Sequence, residues 1–243
     1  MPEKSRSTRI LPQPLRIVAI GILILFLLPY VITPLYAVVD PISTTMLSRR
    51  LSGERVERHY VPISRISPTL PLAVIIAEDG RFCSHHGVDL AEIREALAES
   101  DDIDEVRGGS TITQQVAKNL FLWQGRSLVR KALEFPLALW IDLILPKRRI
   151  LEIYLNIAEW GPNGEFGAEA GARRAFGKSA RDLSRYDAAL MAAILPNPVR
   201  RNARQPGPIV RRLAGLYVDR SARAPAAAEC VRAKSRSGSS PKY

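Results

Sequence analysis

A glutamate-aspartate pair, Glu78-Asp79, closes the apolar run Leu72-Ala73-Val74-Ile75-Ile76-Ala77. Desolvation disfavours the charged form of a carboxylate, so an acid at the end of a buried helix gains proton affinity towards the range a general base needs. Taken alone, the fragment is read more simply as a solvated helix end. Two polar stripes follow. Ser110, Gln114 and Lys118 stand at i, i+4 and i+8 on a helix opened by Gly108-Gly109, a turn whose free amides suit a phosphate. Arg126, Arg130 and Glu134 repeat the spacing, which places two guanidinium groups and a carboxylate on one face. Such a stripe is either an anion clamp beside a positioned acid or a surface ion-pair ladder contributing about a few tenths of a kcal/mol per pair. The glycine pair is not followed by Gly-Lys-Ser/Thr, so nucleotide binding is not supported, and His85-His86 lack a third ligand at metal spacing. Glu152 reads as structural, with Asn156 one turn on as its partner.

These side chains require helices to carry them. Pro71 in a first turn predicts a buried helix up to Glu78, and Ser110 as N-cap predicts another over Thr111 to Phe121. Further helices are expected over Leu128 to Leu145, interrupted at Pro136, over Ile150 to Ala158, and over Ser184 to Leu195, ending before Pro196 and Pro198. Strand-like alternation is scarce, so the fold class is mainly α.

The chain has 243 residues, 47% hydrophobic and 24% charged, enough for one sizeable core and outside the disordered range. A formal charge of +11 favours polyanions: nucleic acid, anionic lipid head groups or a phosphorylated substrate. Lys4, Arg6, Arg9 and Arg16 precede an uncharged stretch from Ile17 to Val39 that is long enough to span a bilayer. That run exceeds a usual signal core, and Leu35 stands where cleavage would need a small residue, so the anchor is expected to stay attached. The basic flank keeps the N-terminus cytoplasmic and places the rest outside. Pro29 and Pro34 should loosen the outer half of the span. The expected organisation is a basic terminus 1–16, a transmembrane helix 17–39, a juxtamembrane segment 40–66, a domain 67–232 and a disordered tail 233–243. Cys83 and Cys230 are either a bridge permitted by an oxidising compartment or two unrelated thiols.

Four blocks stand in order: Glu78 to Gly87, Gly108 to Gln115, Arg130-Lys131-Ala132-Leu133-Glu134, and Lys147 to Asn156. Together they resemble the monofunctional biosynthetic peptidoglycan transglycosylases, relatives of the glycosyltransferase module of bifunctional penicillin-binding proteins. The likeness covers roughly Ser67 to Pro198. It implies a lysozyme-like helical domain lying against the membrane that polymerises lipid II into β-1,4-linked glycan and releases undecaprenyl diphosphate. Glu78 then resembles the base and Glu134 the second acid. Phe82, Ser110, Thr111, Gln114, Gln115, Lys118, Arg126 and Arg130 match substrate-binding positions, and Asp79 and His85 structural ones. Asp142 departs from the longer acid often found in the family, and Val88 to Glu105 matches the mobile part of the cleft. No cofactor is required by the resemblance, a divalent cation (Mg or Mn) at the donor diphosphate being optional. The implied partners are lipid II, the nascent strand, the membrane and proteins of wall synthesis or division, not nucleic acid. The implied location is the bacterial cytoplasmic (inner) membrane, single-pass, with the catalytic domain periplasmic. A lysozyme-type lytic enzyme would also place a glutamate at a helix end, but a hydrolase has no diphosphate leaving group for Lys118, Arg126 and Arg130 to neutralise. A membrane-anchored basic scaffold is the non-catalytic alternative.

Overall fold

The computed structural model describes residues 12–98, 109–125 and 127–232, so Gly108, Arg126, part of the segment expected to be mobile and the expected tail lie outside it. The first helix, α1 (Gln13–Ile32), holds Pro29 inside it and passes at Pro34 into a 3-10 turn, Thr33–Ala37. Residues 13–37 are long and apolar enough to cross a membrane. Their C-terminal end is docked on the body of the protein. Trp140 Nε1 donates to the Tyr30 carbonyl at 3.1 Å, and the Tyr36 ring stacks on Phe121 at 5.9 Å. Arg149 closes this joint by donating to the carbonyls of Tyr36 and Val39, each at 2.8 Å, and to Asp40, Tyr60 and Glu152.

The stretch 40–66, expected as a juxtamembrane segment, is built into the domain. Ser43 caps α2 (Thr44–Leu51), whose Met46 lies in the core. Strand β1 (Glu57–Arg58) pairs in parallel with β2 (Glu165–Phe166). Glu152 accepts from Tyr60 Oη at 2.7 Å and from Ile63 N at 2.8 Å, which settles it as structural. Asn156 clamps both backbone polar groups of Val61 and bonds the Glu152 carbonyl, not its carboxylate.

The core is helical. Helix α3 (Thr69–Glu78) is apolar around its circumference and packs on α9 (Arg185–Ile194) and α10 (Pro208–Arg223). Ala188, Ala189, Ala192 and Ala193 of α9 are all buried, and their small side chains let neighbouring backbones approach closely. Helix α5 (Ile112–Phe121) lies against α6 (Leu128–Ile144) and α7 (Lys147–Ile157), while α4 (Leu90–Ala98) and α8 (Ala168–Phe176) complete the described helices. A Cβ at Gly171 of α8 would come within 2.5 Å of the Trp160 Cβ, so only glycine permits that packing. Pro136 sits inside α6, exposed, and the expected helix runs through it. Two boundaries differ from expectation. Helix α7 starts at Lys147, using Pro146 as its cap residue. The N-cap of α5 is Thr111, not Ser110, because Thr111 forms a capping box with Gln114.

Cys83 and Cys230 are bonded, joining the loop after α3 to the 3-10 segment Pro225–Val231 that packs on α3 and α7. The closed loop spans 147 positions, so the cross-link removes much unfolded-state freedom. Cys230→Ser should lose about 2 to 5 kcal/mol of stability. Thermal melting with and without reductant checks this: reductant should lower the wild-type transition and leave that of the variant in place.

Candidate active site

The site is organised by the residue beside the suspected base. Asp79 leaves α3 in an extended conformation and is buried. Its Oδ2 accepts from Ile112 N, in the first turn of α5, at 2.9 Å, and its carboxylate meets His85 Nε2 at 2.9 Å. A carboxylate at a helix N-terminus satisfies an otherwise orphaned N–H and complements the helix dipole. The loop closes further where the Thr111 hydroxyl donates to the Gly87 carbonyl at 2.6 Å. Gly87 has φ +80°, and a Cβ there would lie 2.4 Å from the Ala138 carbonyl of α6, so both conformation and space require glycine. The end of α3, the start of α5 and the middle of α6 are thereby fixed together.

Glu78 is half-buried at this junction. Gln115 Nε2 donates to its Oε2 at 2.9 Å, and the Tyr154 hydroxyl meets Gln115 Oε1 at 3.1 Å. Burial raises the Glu78 pKa above the ordinary glutamate value. The Gln115 bond and the charges of Lys118 and Arg201 oppose this, and Asp79 adds to it.

Lys118, on α5, faces a second group of charges on α6. Arg130 and Lys131 both approach Glu134, which is buried. Lys131 Nζ also donates to Ser110 Oγ at 2.6 Å. Burial lowers the pKa of Lys118, and Arg130 lowers it further, while Glu78 partly offsets the effect. Burial, Arg130 and Lys118 lower that of Lys131 in turn. Three cations thus crowd around one neutralised acid, an arrangement that an added anion would relieve. Glu134 is engaged by Arg130 and Lys131, and no three His, Cys, Asp or Glu side chains converge among the described residues.

Several residues expected at the substrate are buried or held by their neighbours. Phe82 is fully buried beneath Lys147 Nζ, 4.5 Å from its ring centre, and so supports the loop from within the core. Lys147 is in turn held at 2.7 Å by Asp142. Thr111 and Gln114 are buried in their capping box. Ser110 is half-buried on Lys131, and Gln115 is bonded to Glu78. Lys118, Arg130 and Glu134 do come together, and Arg126 lies outside the described residues. Sequence reasoning missed three participants: Lys131, legible at i, i+3 from Glu134, and Tyr154 and Arg201, which no local pattern marks. Arg201 also lines a pocket of about 190 Å³ with Trp160, Arg174, Asn202 and Arg204.

A half-buried carboxylate beside an uncompensated cation cluster, on a helical domain docked to an apolar helix, defines a membrane-anchored enzyme equipped for an anionic substrate. Its relatives give the group. The chain belongs to the transglycosylase family, whose profile matches residues 44–216. It is 61% identical over 208 residues to the biosynthetic peptidoglycan transglycosylase of Nitrobacter hamburgensis, covering 84% of this chain and 92% of that one. Proteins of the same description from Rhodopseudomonas palustris and Agrobacterium fabrum are 58% and 47% identical over 224 and 205 residues. Those alignments cover 91% and 84% of this chain and 94% and 90% of the relatives. The profile begins at α2, in agreement with the packing of 40–66 into the domain.

Asp79→Ala leaves the Ile112 N–H and His85 without their partner and should cost about 2 to 4 kcal/mol. Chemical denaturation measures this, and a variant as stable as wild type would remove Asp79 from its organising role. Glu78 carries a stability cost of opposite kind. A raised carboxylate pKa penalises the folded state above that pKa, and the penalty disappears as pH falls below the unfolded value. Glu78→Gln should therefore melt above wild type at neutral pH, with the difference shrinking on acidification through the raised pKa and vanishing below about 4.5.

Proposed function

We propose that this protein is a peptidoglycan glycosyltransferase that polymerises lipid II into β-1,4-linked glycan with inversion at the anomeric carbon. The observation that carries the reading is Glu78, held by Gln115 and raised in pKa by burial, next to the unneutralised cluster of Lys118, Arg130 and Lys131. The Glu78 carboxylate accepts the proton of the acceptor sugar's 4-hydroxyl. That oxygen bonds to the donor's anomeric carbon from the face opposite the leaving group, and the bond from that carbon to the diphosphate oxygen breaks. Its electron pair leaves with undecaprenyl diphosphate, and an α-linked donor becomes a β-linked product. The growing charge on the diphosphate is met by Lys118, Arg130 and Lys131, and by Arg126 if it follows the family pattern. Glu134 orients these cations and does not touch the reacting atoms. No step calls on a metal.

The membrane setting is supported by a second observation. Leu128, Val129, Leu139 and Leu143 are exposed on α6, the helix on which α1 docks, and Trp123 is exposed just before it. An apolar face continuous with the anchor suits a domain lying on the bilayer, where lipid-linked substrate is confined. The basic N-terminal flank favours a cytoplasmic N-terminus and an external domain, in a single pass of the inner membrane, and the disulfide suits that oxidising side.

The test is incubation of the detergent-solubilised full chain with labelled lipid II, with glycan read on gels. Wild type should polymerise, while Glu78→Gln should bind lipid II and make no polymer. The acid limb of kcat/KM should fall above the ordinary glutamate value of 4.5. Polymer from Glu78→Gln would remove the base, and cleavage of preformed glycan by wild type would replace the transferase with a lytic enzyme.

A further inference from the structure

Tyr154, a buried side chain of α7, takes no part in the steps above. Its hydroxyl, Gln115 and Glu78 nevertheless form one hydrogen-bonded line across three helices, 3.1 Å from Tyr154 Oη to Gln115 Oε1 and 2.9 Å from Gln115 Nε2 to Glu78 Oε2. The direction of that line is set at the tyrosine. The Tyr154 hydroxyl has no other hydrogen-bond partner among the described residues. Its proton therefore needs Gln115 as acceptor, and a carboxamide accepts only through oxygen. Turning the amide over would leave that buried proton without an acceptor and bring Oε1 against a carboxylate, two costs that together hold one orientation. Burial also pushes the Tyr154 phenol well up, so it remains a donor at any pH at which the protein works.

We propose that Tyr154 is a positioning residue for the transfer reaction: by fixing the Gln115 amide it holds Glu78 Oε2 and leaves Glu78 Oε1 as the atom that takes the proton. Oε1 has no hydrogen-bond partner among the described residues, whereas Oε2 is engaged. Gln115 then serves a second purpose. Donation to the charged form draws the carboxylate back towards ionisation against the desolvation that opposes it. The other charged and titratable groups acting on or near Glu78 are Asp79 beside it, Lys118 from α5, Arg201 from the loop between α9 and α10, and Tyr217 from α10. None of these bonds Glu78 directly, so Gln115 alone specifies which carboxylate oxygen is free.

The inference rests on Glu78 being the base, and its test separates the two. Full-length wild type, Tyr154→Phe, Gln115→Leu and the double variant are compared by kcat, KM and the pH profile of lipid II polymerisation, with Glu78→Gln alongside. Tyr154→Phe keeps the ring and removes only the hydroxyl. It should move the acid limb upward by about one pH unit and lower kcat several-fold with little change in KM. Gln115→Leu should move the limb in the same direction, and adding Tyr154→Phe to it should change nothing more, because the tyrosine acts only through the amide. If Tyr154→Phe does not fold by circular dichroism, Gln115→Leu, on a half-exposed side chain, carries the test. An unmoved acid limb in folded Tyr154→Phe or in Gln115→Leu, or a Gln115→Leu that raises KM alone, would overturn the proposal. A polymerising Glu78→Gln would overturn the base assignment instead.

Discussion

One carboxylate, that of Asp79, holds the geometry on which the site depends. It ends α3 immediately after Glu78, receives the first-turn N–H of the helix that carries Gln115 and Lys118, and accepts from His85 in the loop between them. The acid, the amide that holds it and the nearest cation are thus referred to one buried side chain. Buried polar groups are stable only when their partners are present, so this junction has little freedom to rearrange. Gly87 adds to the constraint, since its approach to the Ala138 carbonyl leaves no room for a side chain and brings α6 into the same framework. The disulfide from Cys83 ties the far end of the loop to a segment lying on α3 and α7.

Within that frame the charges are set against their own preferences. Burial favours a protonated Glu78 and disfavours charge on Lys118 and Lys131. Mutual repulsion among the cations adds to the strain, and Glu134 relieves only part of it. An ion-pair network built for stability would be expected to balance its charges. This one leaves positive charge in excess beside a carboxylate whose proton affinity is raised, as transfer to a diphosphate leaving group requires.

Much of the architecture was legible because it is local. The apolar run before Glu78, the stops at Pro196 and Pro198, and the uncharged N-terminal stretch each encode a helix through periodicity and caps, and the helices stand close to where those signals put them. Thr111-x-x-Gln114 is itself a capping-box pattern, so the misplacement of the α5 cap at Ser110 came from favouring the residue after the glycines. Phe82 shows a different limit. An aromatic ring near an acid in sequence has no mark of whether it faces cleft or core, and here Lys147, more than sixty positions away, covers it. The same holds for 40–66, whose mixed charge reads as a linker until Glu165–Phe166 pairs with it. Tyr154 and Arg201 reach Glu78 only through tertiary packing, which no spacing rule expresses.

The helices that build the site also tie it to the anchor. Helix α6 carries Arg130 near its start and Trp140, bonded to the end of the anchor, ten residues later. At 1.5 Å per residue the two lie about 15 Å apart along a single helix. Helix α7 repeats the connection: Arg149 gathers the carbonyls of Tyr36 and Val39, and Tyr154, about 7.5 Å further along, meets Gln115. Two helices therefore reach from the anchor joint to the charged centre, the first of them with Pro136 inside that span. Helices α6 and α7 thereby set the distance between the anchor joint and the cations, so the anchor belongs to the frame of the site as well as being a tether.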